Sequence, residues 1–439
     1  MSNELDRRNF VRRAVGTGAT VGLALTGRNV LGANDRIRVG VVGTGRQGTS
    51  NLKAFKAHGA EIAAVADVFE PNLKKGLEAA GGQAKAYSDF RRILDDKDID
   101  VVVNATPDHW HALPVVLACQ AGKDVFVEKP ASLSIDEGNK MVAAARKAKR
   151  VVQVALWQRS NLHFARATQI VQDGFIGKVT FVRTWNYGNS FPDGIGNPPD
   201  SPVPPGLDWD MWLGPAPKVP FNANRFGVGD RWSTFRYFYD YANGWVGDWA
   251  VHLIDIVHWA MKVDGPQAAS ASGAKLALVD NAETPDTLQL TLEYPGFLLT
   301  YENRQANANS MWGHGYGIEF HGTEGTLFVD RSGFQLYPES GQKGDKRVDL
   351  APEMKMVAVD DGLFNHVGNM LECMRTRALP ACDIEIGART SAACILGNIA
   401  LRTHQRVVFD PTRQVLVNAS AEAQKLFARE YRSPWKLPI

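Results

Sequence analysis

Cysteine is scarce in this chain of 439 residues, which carries four. Cys119, Cys373, Cys382 and Cys394 have neither metal-ligand spacing nor the density of a disulfide framework. Four buried thiols are expected, with a Cys373 to Cys382 bridge left open for an exported protein. Charge of one sign is also missing: 49 Lys and Arg stand against 47 Asp and Glu, a formal net charge of +2. That balance excludes a basic footprint for nucleic acid and a polybasic membrane patch. The apolar run near the N-terminus, Ala14 to Thr26, is shorter than the roughly 18 to 20 residues a membrane-spanning helix needs. No internal repeat is visible. What remains, 44% apolar and 22% charged, is an ordinary globular composition, long enough for two domains.

The N-terminus reads as an address. Asp6 to Arg13 spell D-R-R-N-F-V-R-R, a twin arginine followed by Phe10 and then the short apolar run. Twin-arginine leaders send folded cargo out of the cytoplasm, so a periplasmic or otherwise exported protein is expected. Residues 1–33 form this leader, and Leu31-Gly32-Ala33 is a loose small-residue cleavage site.

Arg38 to Gly48, R-V-G-V-V-G-T-G-R-Q-G, carries the strongest chemical signal. A β-branched run feeds a G-x-G-x-x-G turn made by Gly43, Gly45 and Gly48, with Thr44, Arg46 and Gln47 between them. The first glycine permits the tight turn, the second lets backbone approach a pyrophosphate, and the third lets the next helix pack on the strand. A second strand, Glu61 to Asp67, ends in an acid at the spacing expected for a ribose contact. Asp67 accepts from ribose hydroxyls and repels a 2′-phosphate, which favours NAD over NADP. Arg46 pulls the other way, since it can pair with the pyrophosphate or reach a 2′-phosphate.

Further strands at Val101–Ala105, Asp124–Glu128 and Val151–Ala155 alternate with helical patterns, the rhythm of a parallel sheet. The expected fold class is α/β plus α+β. A Rossmann domain covers 35–155, and a C-terminal substrate and oligomerisation domain, 156–439, holds a large, mostly antiparallel open sheet. Strands at Lys178–Tyr187, Thr287–Tyr294, Phe297–Gln305, Gly317–His321 and Thr326–Val329 follow without intervening helices. Helical patterns return at Val246–Met261, Leu363–Arg377 and Ala388–Arg402.

Ligands of open parallel sheets bind outside the carboxyl ends of the strands. Two such ends are loaded here: Asn104 to His111, with Thr106, Pro107 and His111, and Val125 to Pro130, with Glu128 and Lys129 where a nicotinamide would sit. With G-T-G-R-Q-G at 43–48, T-P-D-H-W-H at 106–111, A-G-K-D-V-F-V-E-K-P at 121–130 and a later D-x-x-x-H at Asp248 and His252, the chain resembles the Gfo/Idh/MocA oxidoreductases. The resemblance implies a nicotinamide-dependent reaction on a sugar or polyol. It further implies that Lys129 is the catalytic lysine, Asp248 and His252 its partners, and Glu128 a nicotinamide-ribose contact.

The residue chemistry agrees. Oxidising a secondary alcohol needs a base for the hydroxyl proton and a donor for the developing alkoxide. Asp248 and His252, four apart in a helical pattern, share a face. His252 is the expected base, Lys129 the alkoxide donor, and Asp248 orients substrate or imidazole, with Asp255 behind them. Weaker substrate candidates are Trp157, Arg159, Arg231, Tyr239 and His314.

Residues 186–245 depart from a plain dehydrogenase, being rich in Pro, Gly and aromatics; seven of the eleven tryptophans lie between Trp185 and Trp259, ends included. Their faces suit a carbohydrate groove, and they equally suit a second hydrophobic cluster or an arm that wraps another subunit of a dimer or tetramer. Outside the cytoplasm no pool of soluble NAD is maintained. Export therefore favours a tightly held cofactor and a closed redox cycle, in which one sugar is oxidised and another carbonyl reduced. Alternatively a glycoside is transiently oxidised, cleaved or epimerised, and reduced again. A non-catalytic sugar-binding protein is the third reading, disfavoured by Lys129, Asp248 and His252.

Overall fold

Short runs of Val, Ala and Ile, each too apolar to face water on either side, set the first half of the chain. The computed structural model describes residues 36–227, 233–310 and 313–439, so the leader and its cleavage point, Arg231 and Trp312 lie outside the described residues. Strands β1 (Arg38–Val42), β2 (Glu61–Ala66), β3 (Lys85–Tyr87), β4 (Val101–Asn104), β5 (Asp124–Val127) and β6 (Val152–Val154) form one parallel sheet in the order β3-β2-β1-β4-β5-β6. Val39, Val41, Val101, Val103 and Phe126 have no exposed surface, as expected where helices cover both faces. The exposed edge strand β3 was not readable, because Lys85-Ala86-Tyr87 carries no apolar run. The order reverses between β1 and β4, and such a switch point opens a crevice at the carboxyl ends of those strands.

The second sheet is built from β7 (Val179–Tyr187), β8 (Ala268–Ala274), β9 (Thr287–Tyr294), β10 (Phe297–Arg304), β11 (Tyr316–Gly322), β12 (Gly325–Asp330) and β13 (Gly333–Pro338), joined by β16 (Met354–Val357), β17 (Val407–Asp410) and β18 (Val415–Val417). Its order is β16-β13-β12-β11-β7-β10-β9-β8-β17-β18, and a separate hairpin pairs β14 (Ser340–Lys343) with β15 (Lys346–Asp349). Only the β7–β10 pair is parallel, so the expected mostly antiparallel sheet is present. In β9 the sequence T-L-Q-L-T-L-E-Y buries alternate residues, the period of a strand with one face on the core.

Between the sheets runs the helix Ile384–Thr403, buried on nearly every side. Its side chains hold three other parts of the chain. Ser391 Oγ accepts from Ala131 N at 2.9 Å, Thr390 Oγ1 donates to Asp255 at 3.3 Å, and Asn398 Nδ2 donates to the Asn243 carbonyl at 2.9 Å. Gly387 packs so closely on β6 that a Cβ there would lie 2.4 Å from Val154. All four cysteines are buried free thiols.

The aromatic segment resolves into a core of its own. Trp209, Trp212, Phe221, Phe235, Phe238 and Tyr241 pack together against Val68 and Phe69, the residues that follow Asp67. Trp209 and Trp212 stack at 4.7 Å, and Phe69 meets Phe226 edge-on at 5.2 Å. Backbone bonds from Glu70 N to Gly206 O and from Asp208 N to Val68 O pin the segment to the first sheet. Most of these aromatics therefore serve a hydrophobic cluster, of which Phe69, Trp212, Phe226 and Phe235 also line the cleft described below.

Two expectations are corrected here. Asp255 does not support His252, and Arg159 is not a substrate residue: they pair with each other, Arg159 Nε lying 2.8 Å from Asp255 Oδ2, with side chains 8% and 1% exposed. Among buried charges, removal of one partner costs more than removal of both. Arg159→Met should lose about 3–5 kcal/mol of unfolding free energy, measured by urea denaturation, whereas Arg159→Met with Asp255→Leu should recover much of it.

Candidate functional site

The glycine turn closes by contact, not by capping. Gly43 has φ +81, and a Cβ on Gly48 would fall 1.8 Å from the Gly43 carbonyl, so strand and helix touch backbone to backbone. A Cβ on Gly45 would meet only Asn72 Nδ2, at 3.7 Å, which leaves that amide plane open to the crevice. The following helix, Arg46–Ala57, has Gly45 as N-cap and no side-chain cap, so its first-turn N–H groups stay available to an anion. Asp67 Oδ2 accepts from Thr44 N at 2.7 Å and Oδ1 from Phe69 N at 2.9 Å. Burial in the crevice wall pushes this carboxyl up to about 6, against the lowering effect of those N–H donors.

The crevice is a cleft of about 1390 Å³ that runs from this turn to the second sheet, larger than the ~300–1,000 Å³ of an ordinary small-ligand pocket. Gly43, Gly45, Arg46, Gln47 and Asp67 line one end; Thr106, Pro107 and Glu128 line the middle; Lys129, Trp157, Asp248 and His252 line the other. An open backbone cradle, a bare helix N-terminus and an acid lining the cleft after β2 fit a dinucleotide. Thr44 and Gly48 sit behind the wall, and Thr44 holds the turn through Asp67 and the Asn72 carbonyl.

Several candidates lie elsewhere. His111 is buried with both ring nitrogens bonded to carbonyls, Nδ1 to Pro130 O at 2.6 Å and Nε2 to Thr106 O at 2.9 Å. It ties the two strand-end loops together and is not among the residues lining the cleft. Tyr239 packs under Arg402 at 4.4 Å, and His314 bonds Asp330 at 2.8 Å; neither lines the cleft.

At the far end, charges converge. Lys129 Nζ donates to Asp248 Oδ1 at 2.5 Å and to the Asp248 carbonyl at 2.9 Å, and Arg236 Nε donates to the same Oδ1 at 2.9 Å. Burial alone would raise the Asp248 carboxyl, but the Arg236 and Lys129 cations hold it well below the usual carboxylate range. His252 is driven well below its ordinary value by burial and by the Lys129 and Arg331 cations. Its imidazole is therefore neutral, and Nδ1 has no partner among the described residues. Glu128 is fixed by Asn51 Nδ2, which donates to Oε1 at 2.9 Å, a link from the phosphate-side helix to the lysine loop.

The stretch that carries Asp248 and His252 is not the single α-helix expected. Val246–Ala250 forms one turn of π-helix, and the α-helix starts at Val251 and ends at Met261. Such bulges recur at functional sites.

Three lining residues escaped the sequence reading. Asp108 lies in the T-P-D-H-W-H lip, and burial pushes its carboxyl up to about 7 despite Arg236 and Lys129 nearby. Arg236 lies in the aromatic segment, where no spacing marks it. Arg331 lies in the β12–β13 turn; only topology brings it in.

Two sheets with a nucleotide cleft between them define a protein with an NAD-binding Rossmann domain. Residues 37–156 match the model described as the NAD-binding Rossmann fold of an oxidoreductase family, residues 161–273 its C-terminal alpha/beta domain, and residues 219–328 the GFO/IDH/MocA C-terminal domain. The chain belongs to the Gfo/Idh/MocA oxidoreductase family. It is 30% identical over 157 residues to inositol 2-dehydrogenase of Salmonella paratyphi B, covering 35% of this chain and 47% of that one. It is 32% identical over 208 residues to a glycosyl hydrolase family 109 protein of Saccharopolyspora erythraea, covering 41% and 45%. The chain thus spans about half the length of these curated relatives. A levoglucosan dehydrogenase solved with NADH shares the fold, with TM-score 0.65 at 18% identity over 85% of this chain and 99% of that one.

A hydroxyl donates more strongly to an ionised carboxylate than to a protonated one, and burial pushes Asp67 up to about 6. With Asp67 as the ribose contact, NAD affinity should be level above that pH and fall below it, by at most about tenfold per unit, as read by calorimetric titration. Asp67→Asn should flatten the profile and weaken the preference over NADP.

Proposed function

We propose that this protein is an NAD-dependent oxidoreductase acting on a carbon-bound hydroxyl of a sugar, polyol or glycoside. The observation that carries the reading is the Lys129, Asp248 and His252 cluster at the end of the nucleotide cleft. Bound there, NAD supplies hydride acceptance. Lys129 has three N–H donors and spends two on Asp248, leaving one for a substrate oxygen whose negative charge it stabilises. Asp248, held ionised, keeps that ammonium in place and takes no proton. His252, held neutral, has a ring nitrogen ready to accept the hydroxyl proton. Asp108, titrating near 7, is the cleft group suited to pass a proton on at working pH.

Residues 1–33 are proposed to export the folded protein by the twin-arginine route, with NAD carried inside. The packing of the aromatic segment on Val68 and Phe69, directly after Asp67, supports slow cofactor release. A retained cofactor must be restored in each cycle. Transient oxidation of a glycoside, elimination and re-reduction is therefore the second reading, and similarity to a glycosyl hydrolase family 109 protein favours it. The outer face of the second sheet, with Leu298 46% and Val357 62% exposed, supports assembly into a homodimer or homotetramer.

Protein purified without added nucleotide, denatured and assayed by mass spectrometry should yield stoichiometric NAD or NADH. Incubation of the native protein with sugars and glycosides then separates net oxidation from aglycone release. An empty protein that exchanges added NAD freely would point to a conventional dehydrogenase. Lys129→Met should cut turnover by about 10²–10⁴-fold while nucleotide content stays the same; substantial residual activity would remove Lys129 from the role given to it.

A further inference from the structure

The substrate end of the cleft holds a cation without a counter-ion. Arg331 lines the cleft beside His252, and its guanidinium lies 4.6 Å from the Trp157 ring centroid, 4.7 Å from that of Trp249 and 5.9 Å from that of Tyr316. Among the described residues no carboxylate comes within ion-pair distance of it. Its neighbour Asp330 is turned away, with Oδ2 accepting from His314 Nδ1 at 2.8 Å and Oδ1 from Ser332 N at 2.7 Å. Asp248, the ionised carboxylate at this end of the cleft, already carries Lys129 and Arg236. With the Gln158 amide oriented to satisfy both its neighbours, its oxygen accepts from Arg331 Nε at 3.2 Å. The two Nη groups make no hydrogen bond to another described residue.

Desolvating a guanidinium without pairing it is costly. Aromatic faces compensate in part, and they also fix the plane of the group while leaving its N–H edge open. A fixed edge of parallel donors matches a planar carboxylate bidentately. A tetrahedral phosphate dianion would call for a second cation without a counter-ion, and the other cations at this end, Lys129 and Arg236, already have Asp248.

We propose that Arg331 is a carboxylate anchor and that the substrate is an acidic sugar, a polyhydroxy compound of the uronate or aldonate type. The anchor holds the carboxylate while a ring or chain hydroxyl faces Lys129 and His252. This rests on the oxidoreductase reading and narrows its substrate class.

The test uses the full chain with NADH bound and measures binding calorimetrically, with Trp fluorescence as a second readout because Trp157 and Trp249 flank the anchor. The probes are D-glucuronate against D-glucose, D-galacturonate against D-galactose, and D-glucose 6-phosphate. At least one acid should bind more tightly than its neutral parent by on the order of ten- to hundredfold, the span of one charge-assisted pair. Arg331→Met should erase that preference with NADH affinity unchanged, and Arg331→Lys, which keeps charge without the planar edge, should restore only part of it. Equal binding of acid and neutral sugar, preference for the phosphate, or no binding of any probe overturns the anchor. So does a preference that survives in Arg331→Met. Hydride transfer to NAD from a neutral sugar, unaffected by Arg331→Met, would sink the anchor and keep the oxidoreductase reading. Acid-selective binding without hydride transfer on any probe would do the reverse.

Discussion

One carboxylate oxygen shared by two cations organises this molecule. Asp248 Oδ1 takes both Lys129 and Arg236, so the end of β5, the aromatic segment and the π-turn are locked at a single point. A buried charge left alone costs several kcal/mol, and each of the three groups is tolerable only because the other two are there. The same arrangement sets the protonation of everything around it. Asp248 stays ionised, His252 stays neutral, and Asp108, within reach of the same cations, is still pushed up by burial. The proton-handling of the cleft is thus a property of the cluster, not of any one side chain.

Rigidity reaches that cluster from behind. The helix Ile384–Thr403 bonds the loop after Lys129, the helix carrying His252 and the segment leading into the π-turn. Reacting groups contributed by separate stretches must be held to a fraction of an ångström to be useful, and a helix buried on all sides moves little. On the nucleotide side the constraint differs: Phe69 and Val68, next to Asp67, belong to the aromatic core. Opening that side for cofactor exchange means disturbing a packed hydrophobic cluster.

What the sequence disclosed followed from local rules. Gly43, Gly45 and Gly48 after a β-branched strand, and Asp67 at the end of the next, are requirements of backbone geometry and could be read directly. Lys129 and Glu128 were readable because strand ends in a parallel sheet have a known role. The strands of the second sheet from β9 to β12 were readable as successive strand patterns with no helix between them. The edge strand β3, Lys85-Ala86-Tyr87, was not, since a half-paired strand needs no apolar pattern. Arg236, Asp108 and Arg331 were hidden for another reason: each is ordinary in its own segment and becomes chemical only through contacts across the chain. Arg159 and Asp255 misled in the opposite sense, as charges whose partners turned out to be each other. The aromatic segment was legible as unusual in composition, while its choice between ligand surface and core depended on packing no local pattern encodes.

The π-turn at Val246–Ala250 gives this site a history written in chain length. A π-turn holds one residue more than the α-helical turn it replaces, and each residue of an α-helix turns the next by about 100°. Loss of a single residue between Asp248 and His252 would let the helix run on unbroken and swing the carboxylate off the line to Lys129 and Arg236. Every residue type proposed for catalysis would still be present, and the two cations would be left facing each other. Alignments that treat one-residue gaps here as noise would therefore group chains with this electrostatic centre together with chains that lack it, and the count of residues across this turn separates the two.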